Sequence, residues 1–181
     1  MPITRSDKVP ELLQFVDKTT LINPRFQYKI KQGYGFAVGH RFTNVASGAS
    51  VDLYFENPPG SGREVVIVTV EVTALAFSDI DIYENNTVTS SGTPLTPRNL
   101  NRGSSITSIV NTEYGGTYGL GNLIFDDLCP GGSKKEAIGG AAEVGESAVV
   151  PPGSNFLVRV TNQSADTTRI AIRILWWEEP I

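Results

Sequence analysis

The run EVVIVTVEVTALAF, residues 64–77, limits what this chain can become more than any other stretch. β-Branched residues fill most of it, and their stiff side chains suit a pleated strand better than a helix. Val66, Val68, Val70, Val72 and Ala74 share one parity, while Val65, Ile67, Thr69, Glu71, Thr73 and Leu75 share the other. Such a strand presents one wholly apolar face and one mixed face. RIAIRILWWEE (169–179) repeats the pattern, with Ile170, Ile172, Ile174 and Trp176 on one side. Two strands this long and apolar are expected at the centre of sheets, with a second apolar layer over them.

The remaining segments supply the neighbours. From Arg25 onward Phe26, Tyr28 and Ile30 alternate with Gln27, Lys29 and Lys31, which predicts a strand, and Gly33 and Gly35 mark a turn or bulge before FAVGHRF. VDLYFEN (51–57), DIDIY (79–83), LIFDDL (123–128) and NFLVRVTN (155–162) read as further strands, and SAVV as an edge strand ended by prolines. QSADTT is expected to join the last two strands as an antiparallel hairpin. With 18 Gly and 11 Pro, and no alternation of strand and helix, the chain reads as all-β. The expected fold is one antiparallel β-sandwich of jelly-roll type over 25–181, built from about eight or nine strands. Residues 1–24 form an arm or short helix, where Pro10 and Glu11 precede Leu12, Leu13, Phe15 and Val16. Two long loops are expected, at 85–105 and 129–148.

Charge and cysteine content remove several classes of function. Lys and Arg number 15 against 19 Asp and Glu, with no basic cluster, so nucleic acid is not an expected partner. Cys129 is the sole cysteine, which excludes an intrachain disulfide and any multi-thiolate metal centre. The N-terminal stretch scatters charges among its apolar residues, unlike a secretory signal, and no apolar run reaches membrane-spanning length. Synthesis in the cytoplasm without membrane contact is the expectation.

Each candidate for chemistry competes with a plainer role. His40, the sole histidine, lacks a spaced partner and reads as a strand residue. Cys129 needs a base to become a thiolate nucleophile, and only His40 is available, so a thiol hydrolase is disfavoured. Asp79 and Asp81 lie two apart and so share a strand face, and Asp126 and Asp127 form a second acidic pair. Calcium coordination or glycosidase chemistry is weighed there against solvated edge charges, which are preferred. The glycine-rich runs YGGTYGLGN and CPGGSKKEAIGG do not match a phosphate-binding loop. Trp176 and Trp177 point to opposite faces, which leaves Trp177 to pack on a subunit or, less favoured, to stack on a sugar. No cofactor, metal or small-molecule ligand is expected.

Larger order brings in a family. A strand ending in IYE, then TVTSSGTPLTPRNLNRGSS, a glycine-rich loop, LIFDDLCPGG, and the closing NFLVRVTNQS and RIAIRILWWEE together resemble small β-rich virion proteins of tailed bacteriophages, over residues 34–179. TPRNLNRGSS is the most specific part; it departs from the family's repeated Asn-Arg pair at Leu100 and Gly103. The resemblance implies a non-enzymatic particle component, a capsid shell or surface decoration protein residing in the virion. Its partners would be copies of itself and other virion proteins such as the major capsid protein. The alternative is a glycan-binding adhesion module of a tail or fibre. Expected subunit contacts are Arg98, Asn99, Asn101 and Arg102 in the polar segment, Leu12 and Phe15 in the arm, and Trp177.

Overall fold

The computed structural model describes residues 24–131 and 148–181. The arm residues Leu12 and Phe15, and most of the 129–148 loop, lie outside the described residues. In chain order the elements are α1 (Pro24–Lys31), β1 (Gly35–Val45), β2 (Ser50–Asn57), β3 (Arg63–Ala74), β4 (Ser78–Glu84), β5 (Thr87–Ser90), β6 (Thr93–Leu95), β7 (Arg98–Asn99), β8 (Asn111–Tyr114), β9 (Thr117–Gly119), β10 (Asn122–Cys129), β11 (Ala148–Val150), β12 (Ser154–Asn162) and β13 (Thr168–Pro180).

The fold is an all-β sandwich of antiparallel sheets. One sheet has five strands in the order β11-β3-β13-β1-β7, the other six in the order β10-β4-β12-β2-β8-β6, and β5 and β9 form a small third sheet. The long strands pair as nested couples: β1 with β13, β2 with β12, β3 with β11, β4 with β10. The two strands singled out by their apolar runs, β3 and β13, lie side by side inside the five-stranded sheet. Their inner face meets β2, β4 and β12 of the opposite sheet. Trp176 stacks on Phe36 within its own sheet at 6.0 Å and meets Phe55 of the other edge-on at 5.1 Å, so one indole joins both layers.

Three local expectations change. Residues 24–31 form a helix rather than a strand. Phe26 and Ile30 are four apart, a spacing that places two side chains on one face of a strand and equally of a helix, so alternation alone is ambiguous. Tertiary contacts select the helix: Phe26 and Ile30 pack with Val66 and Trp177 on the outer face of the five-stranded sheet. Its end is fixed by a Schellman motif, in which Tyr34 N–H donates to Lys29 C=O at 2.9 Å and Gly33 N–H to Ile30 C=O at 2.9 Å. Gly33 sits at φ 85°, and a Cβ there would lie 2.4 Å from Ser104 Oγ.

The strict parity of β3 also fails. Ile67 faces Trp176 and Thr69 faces Leu175, which leaves Val68 as an extra residue in a β-bulge. Before the bulge Val65 and Ile67 join the core; after it Val70, Val72 and Ala74 do. Val66 and Val68 are thereby turned outward, under α1. Finally, β12 and β13 are not a hairpin: β12 lies between β4 and β2, whereas β13 lies between β3 and β1. Buried Asn162 turns the chain from one sheet to the other. Its Nδ2 donates to the carbonyls of Val45, Ala46 and Asp166 at 3.0, 3.1 and 2.8 Å, and its Oδ1 accepts from Ser164 N–H at 3.0 Å.

Candidate functional site

The polar stretch 85–105 opens an excursion that returns at Gly121 and builds one flank of the sandwich. Its two ends are clasped together. Asn86 N–H donates to Asn155 Oδ1 at 2.8 Å, Asn155 Nδ2 returns a bond to Asn86 C=O at 3.0 Å, and Gly121 N–H donates to Asn86 Oδ1 at 3.2 Å. Gly121 fits because a Cβ there would lie 1.9 Å from Glu84 C=O. Between the clasped ends the chain extends both sheets. β8 adds to β2 and β6 to β8, while β7 adds to β1 through Phe36 and Ala37.

Asparagines hold the tip of this excursion. Asn99 Nδ2 donates to Gly33 C=O and Ile106 C=O, both at 2.8 Å, and Asn99 Oδ1 accepts from Asn101 N–H at 2.9 Å. Asn101 in turn donates to Lys31 C=O at 3.1 Å and accepts from Gly103 N–H at 3.1 Å. Asn and Ser at these positions satisfy backbone groups that no ladder reaches, the physical reason such residues populate turns. Asn99 and Asn101 are therefore used within the chain. Arg102 is exposed and reaches Asn99 C=O only at 3.4 Å, while Arg98 is exposed and has no ion-pair partner among the described residues.

The return limb is pinned by a buried charge that the strand patterns did not single out. Glu178 is 0% exposed and shares the inward parity of Trp176. Its Oε1 accepts from Ser108 Oγ at 2.5 Å, Ile109 N–H at 3.1 Å and Trp176 Nε1 at 3.3 Å, and its Oε2 pairs with Arg63 at 2.7 Å. Four donors compensate the desolvated carboxylate. Ile106, Ile109 and Val110, on the same limb, close the core beneath it. The legible signal was parity: Glu178 continues the series Ile170, Ile172, Ile174, Trp176.

His40 completes this flank. It points between the sheets, with its ring stacked on Tyr114 at 3.7 Å and edge-on to Phe42 at 4.7 Å. Burial lowers its pKa, so the neutral ring is favoured. Cys129 lies on β10 at the far side of the molecule, fully buried, so the structure does not bring His40 and Cys129 together. On the outer face of the six-stranded sheet, β5 and β9 fold over Tyr54, whose ring stacks on Tyr118 at 5.2 Å; Tyr118 donates to Glu113 at 3.0 Å.

Trp177 faces outward as its parity required, yet only 2% of it is exposed because α1 covers it. As a subunit contact it is thus corrected: its neighbours are Phe26, Val66 and, through a cation–π contact at 5.6 Å, Arg25 of the same chain. The helix is fastened there by Glu179, which pairs with Arg25 at 3.0 Å and Lys29 at 3.2 Å. The Lys29 bond holds the Glu179 carboxyl below its usual range.

The opposite flank, formed by β10 and β11, is built differently. Leu123, Phe125 and Leu128 are 51%, 49% and 58% exposed, and among the described residues β10 has a paired neighbour on one edge only. Asp126 stands opposite Asp81, whose pKa is raised first by burial, while Asp79 accepts from Gln163. Among the described residues no group of three or more His, Cys, Asp or Glu could hold a metal ion, and no helix is long and apolar enough to cross a membrane. No family model matches the chain, and no curated protein or solved structure shows significant similarity to it.

Proposed function

We propose that the protein is a non-enzymatic structural component of a tailed-phage particle, a capsid shell or surface decoration subunit acting through subunit contacts. Its partners in this reading are copies of itself and other virion proteins such as the major capsid protein. The nested pairing of β1 with β13 through β4 with β10, which we read as a jelly roll, supports it, since that architecture recurs in viral shells. The observation that carries the proposal is the excursion at 85–121. Asn86, Asn99 and Asn101 are bonded to backbone groups of the same chain, which ties the excursion down as a rim, while Arg98 stays exposed on that rim. A rigid, repeated rim suits assembly.

The glycan-binding alternative calls for exposed rings on which a sugar stacks. Tyr54 and Tyr118 are instead buried against each other, and the exposed rings among the described residues, Tyr28, Phe77 and Phe125, lie on separate segments, which supports the first reading. Mass spectrometry of purified particles is the test. Recovery of this chain near one copy per major capsid protein supports a shell or decoration role, and its absence from particles overturns the proposal. A glycan-array hit combined with that absence would transfer the reading to an adhesion module.

A further inference from the structure

The strands at the two flanks of the sandwich differ in charge: β8 of the first flank carries Glu113, but the strands around its β1 edge carry arginine, and β10 of the second carries aspartate. On β10 and β11 the only charged side chains are Asp126 and Asp127, both exposed, set among Leu123, Phe125 and Leu128. On β1, β6 and β7 the only charged side chains, apart from the single histidine, are Arg41 and Arg98. β7 pairs with β1 only at Phe36 and Ala37, so among the described residues β1 has no neighbour on that edge from Val38 to Val45. Beside this free edge runs a groove of about 360 Å³, whose walls include Ala37, Val38, Pro94 and Leu95 and whose arginines are Arg98 and Arg173. Arg173 is already held by Glu71; Arg98 is not held by any carboxylate among the described residues.

We propose that the occupant of this groove is a second copy of the chain, whose β10 docks along the free edge of β1, its two acids on opposite faces of the strand so that one carboxylate meets Arg98. The acidic, apolar strand LIFDDL has a counterpart for both characters in this mixed groove, Val38, Pro94 and Leu95 for its apolar side chains and Arg98 for its acids. An unpaired strand edge supplies backbone donors and acceptors for a strand that adds to it. Pairing β10 with another β10 would set four aspartates close together, whereas pairing it with β1 sets acid against base. Because the two surfaces differ, the contact is head-to-tail, and repetition closes a ring or extends a filament. This deepens the reading of the protein as an assembly subunit and depends on it only for biological meaning.

Analytical ultracentrifugation of the full chain tests it. Self-association is expected to weaken at least about tenfold as salt rises from about 0.05 to about 0.5 M. Asp126→Arg with Asp127→Arg, and separately Arg98→Asp, each abolish association, and an equimolar mixture of the two variants restores it. All three positions are exposed, so folding is unaffected, which thermal melts verify. A wild-type chain that stays monomeric at millimolar concentration overturns the inference. So does association that survives both reversals, or reversals that the mixture fails to rescue. Chains found in particles but monomeric in solution sink this contact alone; rings in solution with absence from particles sink the virion reading alone.

Discussion

The flank built by residues 85–121 and the flank built by β10 and β11 solve the same problem in opposite ways. Every sandwich has open sides, where strand edges and the gap between sheets meet water. On the first flank one excursion extends both sheets, plugs the gap with Ile106, Ile109, Val110 and the His40–Tyr114 stack, and satisfies its backbone through Asn99, Asn101 and Glu178. On the second, β10 ends its sheet with apolar side chains half in water and two acids as its charged groups. Among the described residues, a polar segment thus makes the closed side and an apolar one the open side. Hydrophobicity of a segment does not say which surface is free; satisfied hydrogen bonds do.

The contrast can be broken most severely at Glu178. Glu178→Ala leaves Ser108, Ile109 N–H, Trp176 Nε1 and Arg63 without their acceptor, and is expected to cost about 3–5 kcal/mol in chemical denaturation. A loss below about 1 kcal/mol would mean that apolar packing alone holds the return limb. Asn99→Ala removes two donated bonds to buried-side carbonyls and should cost about 2 kcal/mol, accompanied by faster hydrogen exchange over residues 98–106. Unchanged exchange there would show that the rim does not depend on Asn99.

A pH series sharpens the comparison at the His40 plug. Its folded pKa is lowered below 6.5, so the unfolded chain binds the proton more readily. The folded state therefore loses stability as pH falls through 6.5 toward the lowered folded value, and keeps it above 6.5. His40→Phe should shrink the stability difference between pH values on either side of that window, and an identical pH dependence in the variant would remove His40 from the account. The smallest effect is expected on the open flank. Leu123→Ser and Leu128→Ser should each change stability by no more than about 0.5 kcal/mol, because both side chains are already half in water. A larger loss would place these residues in the fold itself rather than on a contact surface.

Much of the architecture was legible. The strands at 51–57, 79–83, 123–128, 155–162 and 169–179 all form, and β11 is an edge strand as its prolines required. The candidate site was legible in part. Residues 85–105 were expected as a long loop with Asn99 and Asn101 as contact residues, but the acceptors of those two side chains, Gly33, Ile106 and Lys31, lie up to some seventy residues away and carry no mark of that role. Glu178 was visible only to a parity argument, because a carboxylate between tryptophan and the chain end ordinarily reads as a solvated charge.

Side-chain period is a local property, so the sequence by itself determined that most of this chain would be strands, that Ile170, Ile172, Ile174 and Trp176 would share one buried face, and that the layers would pack. What lay beyond local pattern needed the tertiary structure. Phe26 and Ile30 became helical because Trp177 offered a surface to cover; Val68 became a bulge where the register of β3 against β13 shifts, which puts Ile67 and Val70 into the same core. β12 and β13 parted into different sheets because Asn162 found Val45, Ala46 and Asp166 to bind. Each of these choices is between alternatives of similar local energy, and contacts distant in sequence supply the difference.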